Sequence, residues 1–173
     1  IGGSAFSGCY SLISIHIPLA LTNIEASLFS GCSSLQNIII PESIVSIGNN
    51  AFYGCSSLTS IRIPRNIEEI GGWAFVNCCN LDTIYFEAID CIQMGWQSGS
   101  IYYDVFNDEY NPYNEHCLAP VSVLYLGDSV RNIPYHAFNG CYVSSLTIPA
   151  SVENIEEYAF SGGGINSIKM RGF

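Results

Sequence analysis

Residues 58–78 read LTSIRIPRNIEEIGGWAFVNC, and the rest of the chain is built on that unit. Ile61-Arg62-Ile63 alternates apolar, charged, apolar, the period of a strand with one buried face. Pro64 ends the strand, because proline fixes φ and donates no hydrogen bond. Ile67 and Ile70 then turn back toward the same core, and Ala74-Phe75 and Cys78 close the unit. A unit of this size cannot bury its apolar face alone, so it has to be stacked on others.

Copies run outward on both sides. Ala5-Phe6, Leu28-Phe29, Ala51-Phe52 and Ala74-Phe75 are spaced by 23 residues, and Val105-Phe106, Ala137-Phe138 and Ala159-Phe160 follow at 31, 32 and 22. Strand segments keep the same beat. Ile15-His16-Ile17-Pro18, Ile38-Ile39-Ile40-Pro41 and Leu146-Thr147-Ile148-Pro149 copy the central one. Ile84-Tyr85-Phe86-Glu87, Leu124-Tyr125-Leu126-Gly127 and Ile168-Lys169-Met170-Arg171 are looser versions. Return-side apolar pairs recur as Ile44 and Ile47, Val130 and Ile133, Val152 and Ile155. Stacking such units buries a continuous ladder of Ile, Leu and Phe, each large side chain contributing about 1.5–3 kcal/mol. The pattern predicts a solenoid of about seven units.

The motif Leu58-x-x-Ile61-x-Ile63-Pro64-x-x-Ile67-x-x-Ile70-Gly71-x-x-Ala74-Phe75-x-x-Cys78 resembles the BspA-like (Treponema pallidum-type) leucine-rich repeat. The resemblance implies a curved α/β-type solenoid, with a parallel sheet on the concave face and short helical turns on the convex face. It further implies a cell-surface or secreted protein and an adhesion or interaction role without a catalytic site. The whole chain, 1–173, then reads as one leucine-rich-repeat domain, and 88–120 carries two insertions into it. The chain opens at Ile1 and ends within a repeat, which points to a piece of a longer protein.

Composition narrows the function. Five basic and fifteen acidic residues give a net charge of −10, and 49% of the chain is hydrophobic. So few bases argue against nucleic-acid partners and anionic lipid, which need clustered Lys and Arg. No apolar run approaches the roughly 18 residues of a transmembrane helix. The acidic excess is local: between Arg65 and Arg131 there are ten acids and no base. A partner bound there would be basic or polyhydroxylated.

Cys9, Cys32, Cys55, Cys78 and Cys141 each follow a Phe by three residues, so they read as a stack of small buried thiols. Cys79, Cys91 and Cys117 lie off that beat. A Cys91–Cys117 disulfide would pin the irregular centre, closing a loop worth roughly 3 kcal/mol in the chain-entropy model. A zinc site from Cys79, Cys91, His116 and Cys117 has suitable ligand types but no supporting spacing. No metal and no cofactor are expected.

Two surfaces are candidates for a partner. Outward strand positions line the concave face with His16, Ile39, Arg62, Tyr85, Tyr125, Thr147 and Lys169. The insertions offer Trp96, Tyr102, Tyr103, Asp104, Asp108, Tyr110 and Tyr113, aromatics among acids. The aromatics there could seal a protrusion, anchor a protein, or stack on sugars beside carboxylates. His16, His116 and His136 share no acid or nucleophile at motif spacing, and no hydrolase or phosphate-binding motif is present, so no enzyme is expected. The reading is a protein-interaction or adhesion module, with a host extracellular-matrix or surface protein as a possible partner. The alternatives are a glycan-binding module centred on the insertion and a ligand-free spacer.

Overall fold

The computed structural model describes residues 1–98, 101–106 and 121–172. Outside one hairpin, strands of three or four residues alternate with strands of two. The first coils carry β1 (Ser14–His16), β2 (Asn23–Ile24), β3 (Asn37–Ile39), β4 (Ser46–Ile47), β5 (Ser60–Ile63) and β6 (Glu69–Ile70). The middle carries β7 (Thr83–Phe86), β8 (Gln93–Met94), and then β9 (Trp96–Ser98) and β10 (Ile101–Tyr103). The last coils carry β11 (Val123–Leu126), β12 (Asn132–Ile133), β13 (Ser145–Ile148), β14 (Asn154–Ile155) and β15 (Ser167–Met170).

These strands form a parallel β-solenoid. Long strands pair in parallel as β1–β3, β5–β7–β11 and β13–β15, while the short return strands run as β2–β4–β6–β8 and β12–β14. Register follows the repeat, so Ile61 faces Ile84 and Ile84 faces Leu124. In β5 the outer residues Ile61 and Ile63 are buried and Arg62 is exposed, as strand alternation demands.

Seven phenylalanines form one column through the core. Phe6, Phe29, Phe52, Phe75, Phe106, Phe138 and Phe160 stack with centroids 5.7, 5.4, 5.2, 5.5, 6.2 and 5.6 Å apart. A second column is made of thiols: Cys32, Cys55 and Cys78 each donate to the Phe carbonyl of the preceding coil, at 3.2 Å. Burial pushes the Cys55 thiol up to about 12, and Cys32 and Cys78 rise for the same reason. Cys9, in the first coil, is the exposed member.

The turn side corrects one expectation: no helix occurs among the described residues. The Phe segments are successive tight turns, as in Ser7 N to Ser4 O (3.0 Å) and Cys9 N to Phe6 O (3.1 Å). Left-handed residues interrupt them before a helix can propagate. Ser4, Ser27, Asn50, Trp73, His136 and Tyr158, each just before its Phe dipeptide, have φ between 56 and 59°, and a left-handed glycine follows most of them.

Candidate functional site

The long-strand face brings the predicted concave residues into register. His16 lies opposite Ile39, Arg62 opposite Tyr85, Tyr85 opposite Tyr125, and Thr147 opposite Lys169. Ile39 is 80% exposed, Tyr125 54% and Tyr85 41%, so three large apolar side chains stand on this face. His16 and Lys169 are exposed and Thr147 is half-buried. The Tyr85 and Tyr125 rings are parallel, 5.0 Å apart and 7° from coplanar. Each ring therefore has one face against the other, and the second face of Tyr85 is turned toward β5, where Arg62 stands opposite it.

The face is not one unbroken sheet. β3 and β5 share no ladder hydrogen bonds, and neither do β11 and β13, although the return ladder runs through β4 and β6. Each seam coincides with a groove. The first, of about 680 Å³, is lined by Asn37, Ile38 and Ile39 from β3, Ser60 and Arg62 from β5, Tyr85 from β7 and Glu87 after it. The second, of about 380 Å³, lies between Tyr125 and Thr147, with Asp128 and Arg171 at its margin.

Glu87 is a site residue that the sequence reading passed over. It takes the place of Pro18, Pro41 and Pro64, two residues after Tyr85 and so on the same side of the strand. Its carboxylate accepts a 2.6 Å hydrogen bond from Arg62, whose guanidinium also lies 4.0 Å from Glu42. That pairing holds the Arg62 guanidinium more firmly protonated than usual. Arg62 is thus already paired before any ligand arrives.

The insertion candidates divide. Trp96, Tyr102 and Tyr103 belong by backbone to an antiparallel hairpin of β9 and β10, and their side chains lie outside the described residues. Asp108, Tyr110, Tyr113 and Cys117 lie outside the described residues altogether, as does His116. Asp104 is placed differently from the expectation: it is only 7% exposed and belongs to the scaffold. Its carbonyl accepts from Trp73 N at 2.7 Å, and the next carbonyl, of Val105, accepts from Phe75 N. It occupies the position before the Phe dipeptide, where the next coil has His136. Its carboxylate lies 2.9 Å from His136 Nδ1 and 3.0 Å from Asn139 Nδ2. His136 packs between Tyr135 and Tyr158, so it too is a coil-to-coil contact.

The Cys91–Cys117 bridge is corrected as well. Cys91 is a free, buried thiol, pushed up to about 12 mainly by burial. The repeat continues through it, since β8 pairs with β6, and Cys91 fills the column of Ile44 and Ile67. Cys79 is the disulfide-bonded cysteine instead. Among the described residues, no group of three or more His, Cys, Asp or Glu side chains could hold a metal ion. No helix among them is long and apolar enough to cross a membrane.

Parallel coils of one repeated unit, a phenylalanine spine and a long-strand face define a leucine-rich-repeat solenoid. The chain belongs to the BspA-type leucine-rich-repeat family, whose model matches six copies over residues 1–103 and 114–172. It is similar to the T. pallidum leucine-rich-repeat protein TpLRR: 26% identity over 94% of this chain and 65% of that one, TM-score 0.63. A leucine-rich-repeat protein of Eubacterium ventriosum is 25% identical over 87% of this chain and 43% of that one, TM-score 0.52. A leucine-rich cell surface protein of Faecalibacterium prausnitzii shares the fold at 20% identity, covering all of this chain and 63% of that one, TM-score 0.51. The chain thus spans less than two thirds of the length of these structures. No curated protein matches it.

Proposed function

We propose that this chain is a non-catalytic protein-interaction or adhesion module of a cell-surface or secreted protein, and that it binds through the long-strand face. One observation carries the reading: Tyr85 and Tyr125 stand exposed and in register, with Ile39 exposed on the same face, on strands whose reverse side is buried. Exposed tyrosine on a rigid frame contributes large contact area at small entropic cost, which is how interface anchors work. The BspA-type family and a neighbour described as a cell surface protein support the surface setting. The test is binding to immobilised host matrix proteins. Tyr85→Ala with Tyr125→Ala should weaken capture roughly tenfold or more while the melting temperature stays put. Undiminished capture by that folded variant would remove the long-strand face from the account.

A further inference from the structure

We propose that the groove over the β11–β13 seam is a binding site for a neutral sugar, with a pyranose ring laid on Tyr125 and its hydroxyls held by Ser145, Thr147, Asp128 and Arg171. This goes beyond protein contact. The site shares Tyr125 with the protein-binding face and uses neither Ile39 nor Tyr85 as an anchor, so either can fail alone.

One bank of the groove is an open aromatic face. Tyr85 lies against one side of the Tyr125 ring, and the other side is turned toward β13. The place that Arg62 takes beside Tyr85 is taken beside Tyr125 by Thr147, which is too small to cover a ring. Tyr125 is 54% exposed and lines the groove. A pyranose carries a matching apolar face, made of its ring C–H groups. Setting the two together removes apolar area from water.

The opposite bank is made of hydroxyls. Ser144, Ser145 and Thr147 line it, and among the described residues their side chains bond to no protein group. A hydroxyl both donates and accepts, so this bank suits a ligand that is itself covered with hydroxyls.

Charge at the end of the groove selects a neutral ligand. Asp128 and Arg171 lie 3.7 Å apart, beyond hydrogen-bond distance, and both side chains are more than half exposed. The carboxylate accepts and the guanidinium donates, so neighbouring sugar hydroxyls can serve both, and such bonds to charged groups are strong ones. One acid and one base leave the lining without net charge, and Lys169, opposite Thr147, stands one strand further out. A cation would meet Arg171 and an anion would meet Asp128, whereas a neutral polyol meets neither penalty. The volume of about 380 Å³ is at the small end of the range for ligand sites, roughly 300–1,000 Å³, and suits a short saccharide.

Saturation-transfer NMR with titration tests the site. The ligands are methyl β-glucopyranoside and methyl β-galactopyranoside, with sorbitol, glucosamine and N-acetylneuraminic acid as controls. At least one pyranoside should bind, with transfer strongest to its ring C–H protons and an affinity that salt leaves unchanged. Sorbitol, a polyol without a ring, should not bind, and the amine and the acid should bind more weakly. Tyr125→Ala should abolish binding, while Tyr125→Phe, which keeps the ring face, should retain it. Thr147→Val and Asp128→Ala should each weaken it about two- to tenfold. Matched melting temperatures will show that the variants are folded, and Tyr125→Phe with Thr147→Val keeps the test decisive if Tyr125→Ala is not. Sorbitol binding as well as the pyranosides overturns the proposal, as does preference for the amine or the acid. So does pyranoside binding that ignores Tyr125 and Thr147, since that ligand would sit elsewhere. If neither pyranoside binds, the proposal falls. Capture of matrix proteins that survives removal of their glycans and still depends on Tyr85 would then leave the protein-binding face standing.

Discussion

Raising the pH should unfold this protein through its buried cysteines. Cys55, Cys91 and Cys141 are held near 12 in the fold, against 9.0 for a free thiol, with burial the main cause in each. A thiol is neutral when protonated, so the unfolded chain loses these protons above pH 9 while the folded chain keeps them. The unfolded state then binds fewer protons, and stability falls as pH rises. The stabilisation is fully present below pH 9 and is lost between 9 and 12. At pH 10 the loss is roughly 1–2 kcal/mol for each thiol and about 4 kcal/mol for the three together. Urea unfolding at pH 8 and pH 10, with oxidation excluded by working under argon, reads this directly as a fall in midpoint at constant slope. A triple Cys→Ala variant lacks these three protons and should show a smaller pH effect, with Cys78 and Cys32 still contributing, though it starts less stable. An unchanged wild-type midpoint at pH 10 would refute the placement of these thiols in a dry core.

Other perturbations test the spine and the bridges. Phe52→Ala opens a hole between Phe29 and Phe75, and should cost about 3–5 kcal/mol. A thermal melt should then fall by roughly 10 °C. Gly71→Ala would place a Cβ 2.5 Å from Asn49 N and 2.7 Å from Gly48 C, which are backbone atoms of the preceding coil. That clash should cost about 1–3 kcal/mol in a urea titration, where an exposed Gly→Ala change would be neutral or stabilising. Peptide mapping without reduction should find Cys79 in a disulfide and Cys91 alkylated only after unfolding.

Much of the fold was legible because the repeat is written in side chains. The Phe dipeptides, strand triplets and Pro stops recur at fixed spacing, and they take the places that alternation and burial give them except in the last coil, where Ile168 and Met170 are exposed. The thiol column was legible for the same reason, since five of the cysteines recur three residues after a phenylalanine. Legibility failed where an insertion shifted the count. Asp104 lies among insertion residues in sequence, yet the β9–β10 hairpin ends at Tyr103 and returns the chain to the coil there. Cys91 looked like a bracket around the irregular centre, but the chain keeps its return register to Met94. Contacts between coils were harder still. Arg62 meets Glu87 one coil and two residues on, and His136 meets Asp104 across 32 positions. Nor does side-chain pattern encode the seams between β3 and β5 or between β11 and β13, which depend on the spacing of the backbones.

The central claim is that partners engage the long-strand face, and hydrogen exchange with and without a bound matrix protein tests it most directly. The account predicts added protection over 37–39, 60–63, 83–87 and 123–126, with the return strands at 46–47 and 69–70 unchanged. Protection confined to those return strands or to the 96–103 hairpin would contradict it.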